Sequence, residues 1–488
     1  MLGILLALAA GAGLRGAMLK ALPQVTFDTL LYGNLAKNIL RGQFAITDGS
    51  GVAHATLIRL PGYPLFLALC FRIFGVDNYT AVSCVQIAME LAGCLLLASF
   101  VLRIANERAA WWTLWLAALC PFTASYAVAP LTETPTLFAI ALALWALARF
   151  HSRLDRARPD WGSALAFTFA VSFAALLRPD GALVGVALAP ALVVGSLQEA
   201  KKHSPGAKAR ADSDRVNGRT EARPYRGRFA SLLRMAAICA VLAMLPFVFW
   251  TARNWRVFHV FEPLAPRYAT DPGESTNPGW QRWMKTWCLD FVSTSDIYWN
   301  VPGGPFDLSK LPGRAFDSPA QYTQTADLVA AYNDNGQDLS PELDAQFGQL
   351  AAERIMAHPL RYYLWLPLGR MADMWLRPRV ENLNIDLDWW VYSHHNAETR
   401  FSWAYAGLNA AYLLLALIGT CFRSRYWPWM ALYFALRSLL LMTIEAPEAR
   451  YTLECFPMIF VLAGIGIDRS YRSFADAFAN RRSATRRG

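Results

Sequence analysis

Apolar runs close to the length of a bilayer crossing recur along this chain, separated by short turns that carry Arg, Lys, Asp or Glu. In hydrocarbon such a run has no water to satisfy its peptide groups, so each must close its own hydrogen bonds as a helix. The runs fall at about 2–22, 79–103, 111–129 and 134–150, at two segments flanking Arg178, and at about 232–252, 401–422, 426–444 and 452–468. The expectation is an all-α integral membrane protein with about ten transmembrane helices. No cleavage site of small residues closes the run 2–22, which reads as a retained anchor interrupted by Arg15.

Charge sets the orientation. The net charge is +10, but the basic residues gather in turns between apolar runs, where the positive-inside rule accounts for them without a nucleic-acid partner. Arg103 and Arg108 mark one cytoplasmic turn and the stretch His151 to Arg158 another. Residues 201–228 hold nine Lys/Arg against three Asp/Glu, with Gly, Ser and Pro throughout, and read as a disordered cytoplasmic loop between two halves, with contact to anionic lipid as the functional alternative. Three parts are expected: a transmembrane module 1–252 with a first outer loop 23–78 and the basic loop 199–230, a small extracytoplasmic region 253–400, and a membrane module with a basic tail, 401–488. Within the middle part Ser340-Pro341-Glu342 starts a helix that ends before Pro359, and 360–378 is laid on the membrane surface, because a crossing there would put the basic tail outside. Eight cysteines show neither a disulfide framework nor a CxxC metal spacing.

The first outer loop is the most informative stretch. Phe27, Leu31, Leu35 and Ile39 recur every four residues, Thr26 can cap, and Gly42 can stop, so a short amphipathic helix is predicted with Asp28 in its first turn. By the same topology Asp28, Arg59, Glu133, Arg178, Arg253, Glu448 and Arg450 all fall on the outer side near the ends of spans. Guanidinium forks suit a phosphate, and a carboxylate suits proton abstraction or metal binding. Snorkelling to head groups, or a helix-dipole role for Asp28, remain open for each group taken singly.

Six short motifs carry a family resemblance in order along the chain. They are Asp28 with Tyr32; Arg59-Leu60-Pro61-Gly62-Tyr63-Pro64 running into Phe74-Gly75; Thr132-Glu133-Thr134; Leu177-Arg178-Pro179; Ala252-Arg253-Asn254-Trp255; and Glu448-Ala449-Arg450-Tyr451 with Pro457. Together they resemble the GT-C glycosyltransferases, in the branch of the bacterial aminoarabinose transferase and the protein O-mannosyltransferases. The resemblance implies a polyprenyl-phosphate sugar donor and transfer on the outer face of the cytoplasmic membrane to a glycan, lipid or protein acceptor. It makes Asp28 the catalytic carboxylate and Glu133, in the second outer loop where a metal or acceptor contact is sometimes found, a second catalytic candidate. Arg59, Tyr63, Arg178, Arg253, Glu448, Arg450 and Tyr451 are the substrate-binding candidates. Asp28 is followed by Thr29 and not by a second acid, a departure that leaves a divalent metal open and no cofactor certain. The rival reading is a flippase for the same lipid-linked sugar, which would bind phosphate without breaking a bond and would place its site at the membrane midplane.

Overall fold

The computed structural model describes residues 2–22, 25–154, 160–202, 223–383, 385–387, 396–422 and 424–485. The described residues are mostly helical and form two compact units. Residues 1–272, 412–434 and 454–488 make the first, and residues 273–411 and 435–453 the second. Among the described residues six helices are long and apolar enough to cross a membrane: Leu2–Ala21, Tyr79–Ile104, Glu133–His151, Ala230–Phe258, Asn396–Thr420 and Ala449–Ser473. The chain is a multi-pass membrane protein. The remaining expected spans are shorter helices, including Trp161–Leu177 and Trp427–Leu441. The run 111–129 is broken at Leu119–Cys120 into helices Glu107–Ala118 and Pro121–Ala127, because Pro121 has no N–H to continue the first. Of the basic loop 201–228, residues 203–222 lie outside the described residues; the loop is shorter than expected at its end, because 223–228 already belong to the helix Arg223–Phe258.

In the first unit helix α1 (Leu2–Ala21) leads to α2 (Phe27–Leu40), an antiparallel hairpin β1 (Ala45–Thr47) and β2 (Ala53–Ala55), and α3 (Gly62–Phe74). Helices α4 (Tyr79–Ile104), α5 (Glu107–Ala118), α6 (Pro121–Ala127), α7 (Glu133–His151) and α8 (Trp161–Leu177) follow. Lipid supplies no hydrophobic drive between spans, so close backbone approach and polar contacts do the joining. A Cβ at Gly464 would stand 2.1 Å from Thr113 Oγ1, which shows how tightly the C-terminal helix lies on α5. Arg15, fully buried, donates to Glu90 Oε2 at 2.6 Å and to the Ala118 carbonyl at 2.7 Å, tying α1 to α4 and α5.

α2 begins where Thr26 predicts, its hydroxyl accepting from the Thr29 N–H at 3.3 Å, and the chain turns away at Gly42 with φ +84°. The buried face follows the predicted stripe at Leu35 and Ile39 and departs from it elsewhere. Tyr32, Leu35 and Ala36 face the core, whereas Phe27 is 84% exposed. The sequence also gave no sign of the hairpin. Asn34 holds it in place of a third strand: its Nδ2 donates to the Thr47 carbonyl at 2.8 Å and its Oδ1 accepts from the Thr47 N–H at 2.9 Å.

The second unit is built on tryptophan. Trp280, Trp283 and Trp287, one turn apart, pack with Phe306, Tyr332 and Phe347, so a soluble-type core forms where the sequence is polar on average. Helix α9 (Pro278–Lys285) lies on α10 (Pro341–Ala357), and the Asp344 carboxylate accepts from the Gly279 and Trp280 N–H groups at its start. α10 has the predicted Ser340 cap and ends before Pro359.

Candidate active site

Asp28 stands in the first turn of α2, where its charge suits the helix dipole, but Thr26 already caps the helix. Its carboxylate is about a quarter exposed and meets Arg59 Nη2 at 3.5 Å. Arg59 also lies over the ring of Tyr32, 5.9 Å from its centroid. Tyr32, one turn along α2 from Asp28, meets Tyr63 edge to face at 5.0 Å. Tyr63 is fully enclosed, and its hydroxyl donates to Gln86 Oε1 at 2.8 Å. Gln86 in turn donates to the Ala129 carbonyl at 2.7 Å, so Tyr63 links α3 to α4 and to the turn before Glu133.

The second group of charges starts at that turn. Glu133 is the first residue of α7 and is buried, with Arg178 Nη1 3.2 Å from its Oε1. Arg178 ends α8 in extended backbone, as the residue before a proline must, and this turns its side chain across the helix end. Asp180 Oδ1 stands 3.2 Å and Glu454 Oε1 3.1 Å from its Nε. One guanidinium therefore gathers three carboxylates from three separate parts of the chain. Gly62 lets the start of α3 touch the end of α8: a Cβ there would fall 2.5 Å from the Leu176 carbonyl oxygen. The Thr29 hydroxyl reaches the Pro130 carbonyl at 3.4 Å, and Tyr32 feels Asp28, Arg59, Arg178 and Glu133 together. Burial pushes the Tyr32 hydroxyl above its ordinary pKa, the two arginines pull it down, and the two carboxylates add to the rise.

Of the predicted residues, Asp28, Arg59, Tyr63, Glu133 and Arg178 thus come together at one end of the first unit. Arg253 is engaged differently. Its Nη1 and Nη2 donate to the Thr56 and Phe44 carbonyls, each at 2.7 Å, and its guanidinium lies 5.3 Å from the ring centroids of Phe44, Trp250 and Phe258. What it does here is pin the hairpin loop. Glu448, Arg450 and Tyr451 belong to the second unit, where the Glu448 carboxylate takes both the Arg450 guanidinium and the Tyr451 hydroxyl. Residues that sequence reasoning missed are Gln86, Asp180 and Glu454. The signal for Glu454 was a carboxylate inside an apolar run, costly unless paired. No group of three or more His, Cys, Asp or Glu among the described residues is placed to hold a metal ion. The carboxylates that converge do so on Arg178.

Comparison with known proteins bears on this end of the molecule. Residues 54–209 match the family model of dolichyl-phosphate-mannose-protein mannosyltransferase. The match bears out the resemblance to the GT-C glycosyltransferases and contains Arg59, Tyr63, Glu133 and Arg178. Comparison with curated proteins gives no match. Among solved structures the chain is similar to the oligosaccharyltransferase of Archaeoglobus fulgidus tethered with an acceptor peptide, with 13% identity and a TM-score of 0.46. That similarity covers 96% of this chain and 50% of the other, so the chain spans about half the length of that protein. It is also similar to ArnT from Cupriavidus metallidurans bound to undecaprenyl phosphate, with 16% identity, a TM-score of 0.37, and coverage of 95% of this chain and 76% of the other.

Proposed function

We propose that this protein is a glycosyltransferase that moves a hexosyl or pentosyl group from a polyprenyl-phosphate carrier to an envelope glycan, lipid or protein, on the outer face of the cytoplasmic membrane. The observation that carries the reading is the partly exposed Asp28 carboxylate at the head of α2, set beside Arg59 and next to the Glu133–Arg178 group. The family match that covers three of those four residues supports it.

In this reading Asp28 takes the proton from the acceptor hydroxyl as its oxygen attacks the anomeric carbon. The bond from that carbon to the phosphate oxygen breaks, and the carrier leaves as a lipid phosphate. Proton abstraction by a placed carboxylate contributes on the order of a hundred- to ten-thousand-fold. Arg59 steadies Asp28 and offers charge to the leaving phosphate, a task that a guanidinium fork meets well. Arg178 is held by three carboxylates and fixes the geometry of Glu133. Residues 253–400 lie outside in this reading, with the stretch 360–378 along the membrane surface. There Leu360, Leu364, Leu368 and Leu376 form an exposed stripe opposite the buried Leu366, Arg370 and Met374.

The test is incubation of the purified protein, in sealed vesicles, with radiolabelled lipid-phosphate sugars from its own membranes. Free carrier phosphate released together with a labelled acceptor is the expected result. Labelled sugar crossing the vesicle membrane still joined to its carrier would overturn the transferase in favour of a flippase.

A further inference from the structure

A second cluster of charge stands a helix length away from the candidate active site. Arg103 lies in the last turn of α4 and Arg149 in the last turn of α7, the helix that Glu133 begins; Arg153 follows α7, and Asp160 caps α8. Arg103 and Arg149 share one indole, their guanidinium groups 5.9 and 5.0 Å from the ring centroid of Trp145. Arg149 Nε and Arg153 Nη1 approach the same oxygen of Asp160, at 3.8 and 3.1 Å. Arg103 feels both Arg149 and Arg153, and among the described residues it has no carboxylate partner.

One carboxylate does not balance three guanidinium groups, and this one is already committed. Asp160 Oδ2 accepts from the Ser163 hydroxyl at 2.8 Å and Oδ1 from the Ser163 N–H at 3.4 Å. Arg149 Nε is buried without a hydrogen-bond acceptor, since 3.8 Å is beyond bonding reach. Residues 155–159, outside the described residues, hold two Arg against one Asp, so the sequence of the turn keeps the positive excess. A helix C-terminus welcomes one cation, and Arg103 meets that need by donating to the Ser99 carbonyl at 2.6 Å. It does not explain three guanidinium groups drawn together, each repelling the others. An oxyanion with several free oxygens does: it offers the missing acceptor and offsets the repulsion, and the planar guanidinium fork suits phosphate. The surroundings point to lipid as its source. Leu95 and Leu102, two turns apart on α4, are exposed, and Arg103 follows Leu102, so the cluster opens on an apolar face of a spanning helix. Trp145 is only partly buried, and such an indole belongs at head-group level.

We propose that Arg103, Arg149 and Arg153, grouped beside Trp145, bind the phosphate of an anionic membrane lipid in the leaflet opposite the candidate active site. The proposal does not depend on the transferase reading.

The test is binding of short-chain phosphatidylglycerol, short-chain phosphatidylcholine and inorganic phosphate to the full-length protein in a neutral detergent, read as adducts by native mass spectrometry. Wild type should prefer phosphatidylglycerol to phosphatidylcholine by about 5-fold or more, and R103Q and R149Q should each weaken phosphatidylglycerol about 5-fold, the size expected of one arginine at a lipid surface. R108Q removes the same charge from the neighbouring turn, where Arg108 lies 4.0 Å from Asp468, and should leave that affinity unchanged. Arg103 is exposed, so R103Q should keep the wild-type Tm and carries the test alone if R149Q does not fold. Equal weakening in R103Q and R108Q would reduce the effect to a diffuse field and overturn the site. Unchanged affinity in R103Q, or a wild type without preference between the lipids, would overturn it too. Displacement of the lipid by an equal concentration of inorganic phosphate would assign the site to free phosphate and overturn the lipid.

Discussion

At the scale of single residues, Asp28 and Arg178 make opposite kinds of demand. Asp28 is partly exposed and Thr26 does the capping, so Asp28→Asn should leave folding within about 1 kcal/mol of wild type. An amide cannot take a proton, and transfer measured with labelled donor should fall by about a hundred- to ten-thousand-fold. Turnover near wild type would move the base to another carboxylate. Arg178 is the common partner of Glu133, Asp180 and Glu454, and its loss leaves those charges facing one another in a largely buried place. Arg178→Gln should therefore cost about 3–5 kcal/mol, read as a lowered Tm in detergent, and Glu133→Gln should cost less. Asp28, Arg59, Glu133 and Arg178 were legible because an ionisable group near the end of a span is costly without a partner. That Arg253 spends its guanidinium on two carbonyls was not legible, since the chain segments offering those carbonyls lie about two hundred residues away.

At the scale of elements, α2 and the segment 360–376 show how far periodicity reaches. It located α2, its ends and half of its buried face, Leu35 and Ile39, but missed Tyr32 and Ala36 and counted the exposed Phe27, because an every-fourth-residue pattern drifts around a helix of 3.6 residues per turn. The helix Leu366–Leu376 presents its exposed leucines opposite Arg370 and Met374. Nitroxide labels at Leu364, Leu368 and Leu376 should report one shallow depth in the bilayer, whereas depth rising steadily along the helix would show that it spans. The same helix carries Asp373, whose carboxyl burial pushes up to about 6 against the pull of Arg377, with Asp290 and Glu381 adding to the rise. A raised carboxyl contributes stability that is full below about pH 4 and lost as pH rises through about 6, worth up to about 3 kcal/mol. Comparison of Tm for wild type and Asp373→Asn from pH 4 to pH 7 should show this loss in wild type only.

For the molecule as a whole, charge alternation between spans makes a prediction independent of any site. With the exposed Cys84 and Cys421 changed to serine, a membrane-impermeant thiol reagent added outside should label cysteine at Gly49 or Gly273 and spare cysteine at Ser152. The opposite pattern would invert the topology and remove Asp28 from the outer face. The sequence by itself determined that the chain crosses the membrane many times as helices, because continuous apolar runs near twenty residues can satisfy their peptide groups in lipid within the run, whereas barrel strands are short and alternating. It also determined where caps, prolines and glycines start and stop the helices Phe27–Leu40 and Pro341–Ala357, since those signals act within a few residues. Only the tertiary structure decided that Arg178 gathers Glu133, Asp180 and Glu454, and that Gln86 takes the hydroxyl of Tyr63. Such pairings depend on which helix ends meet and at what rotation. Close packing of side chains from distant segments sets that rotation, and no local pattern encodes it.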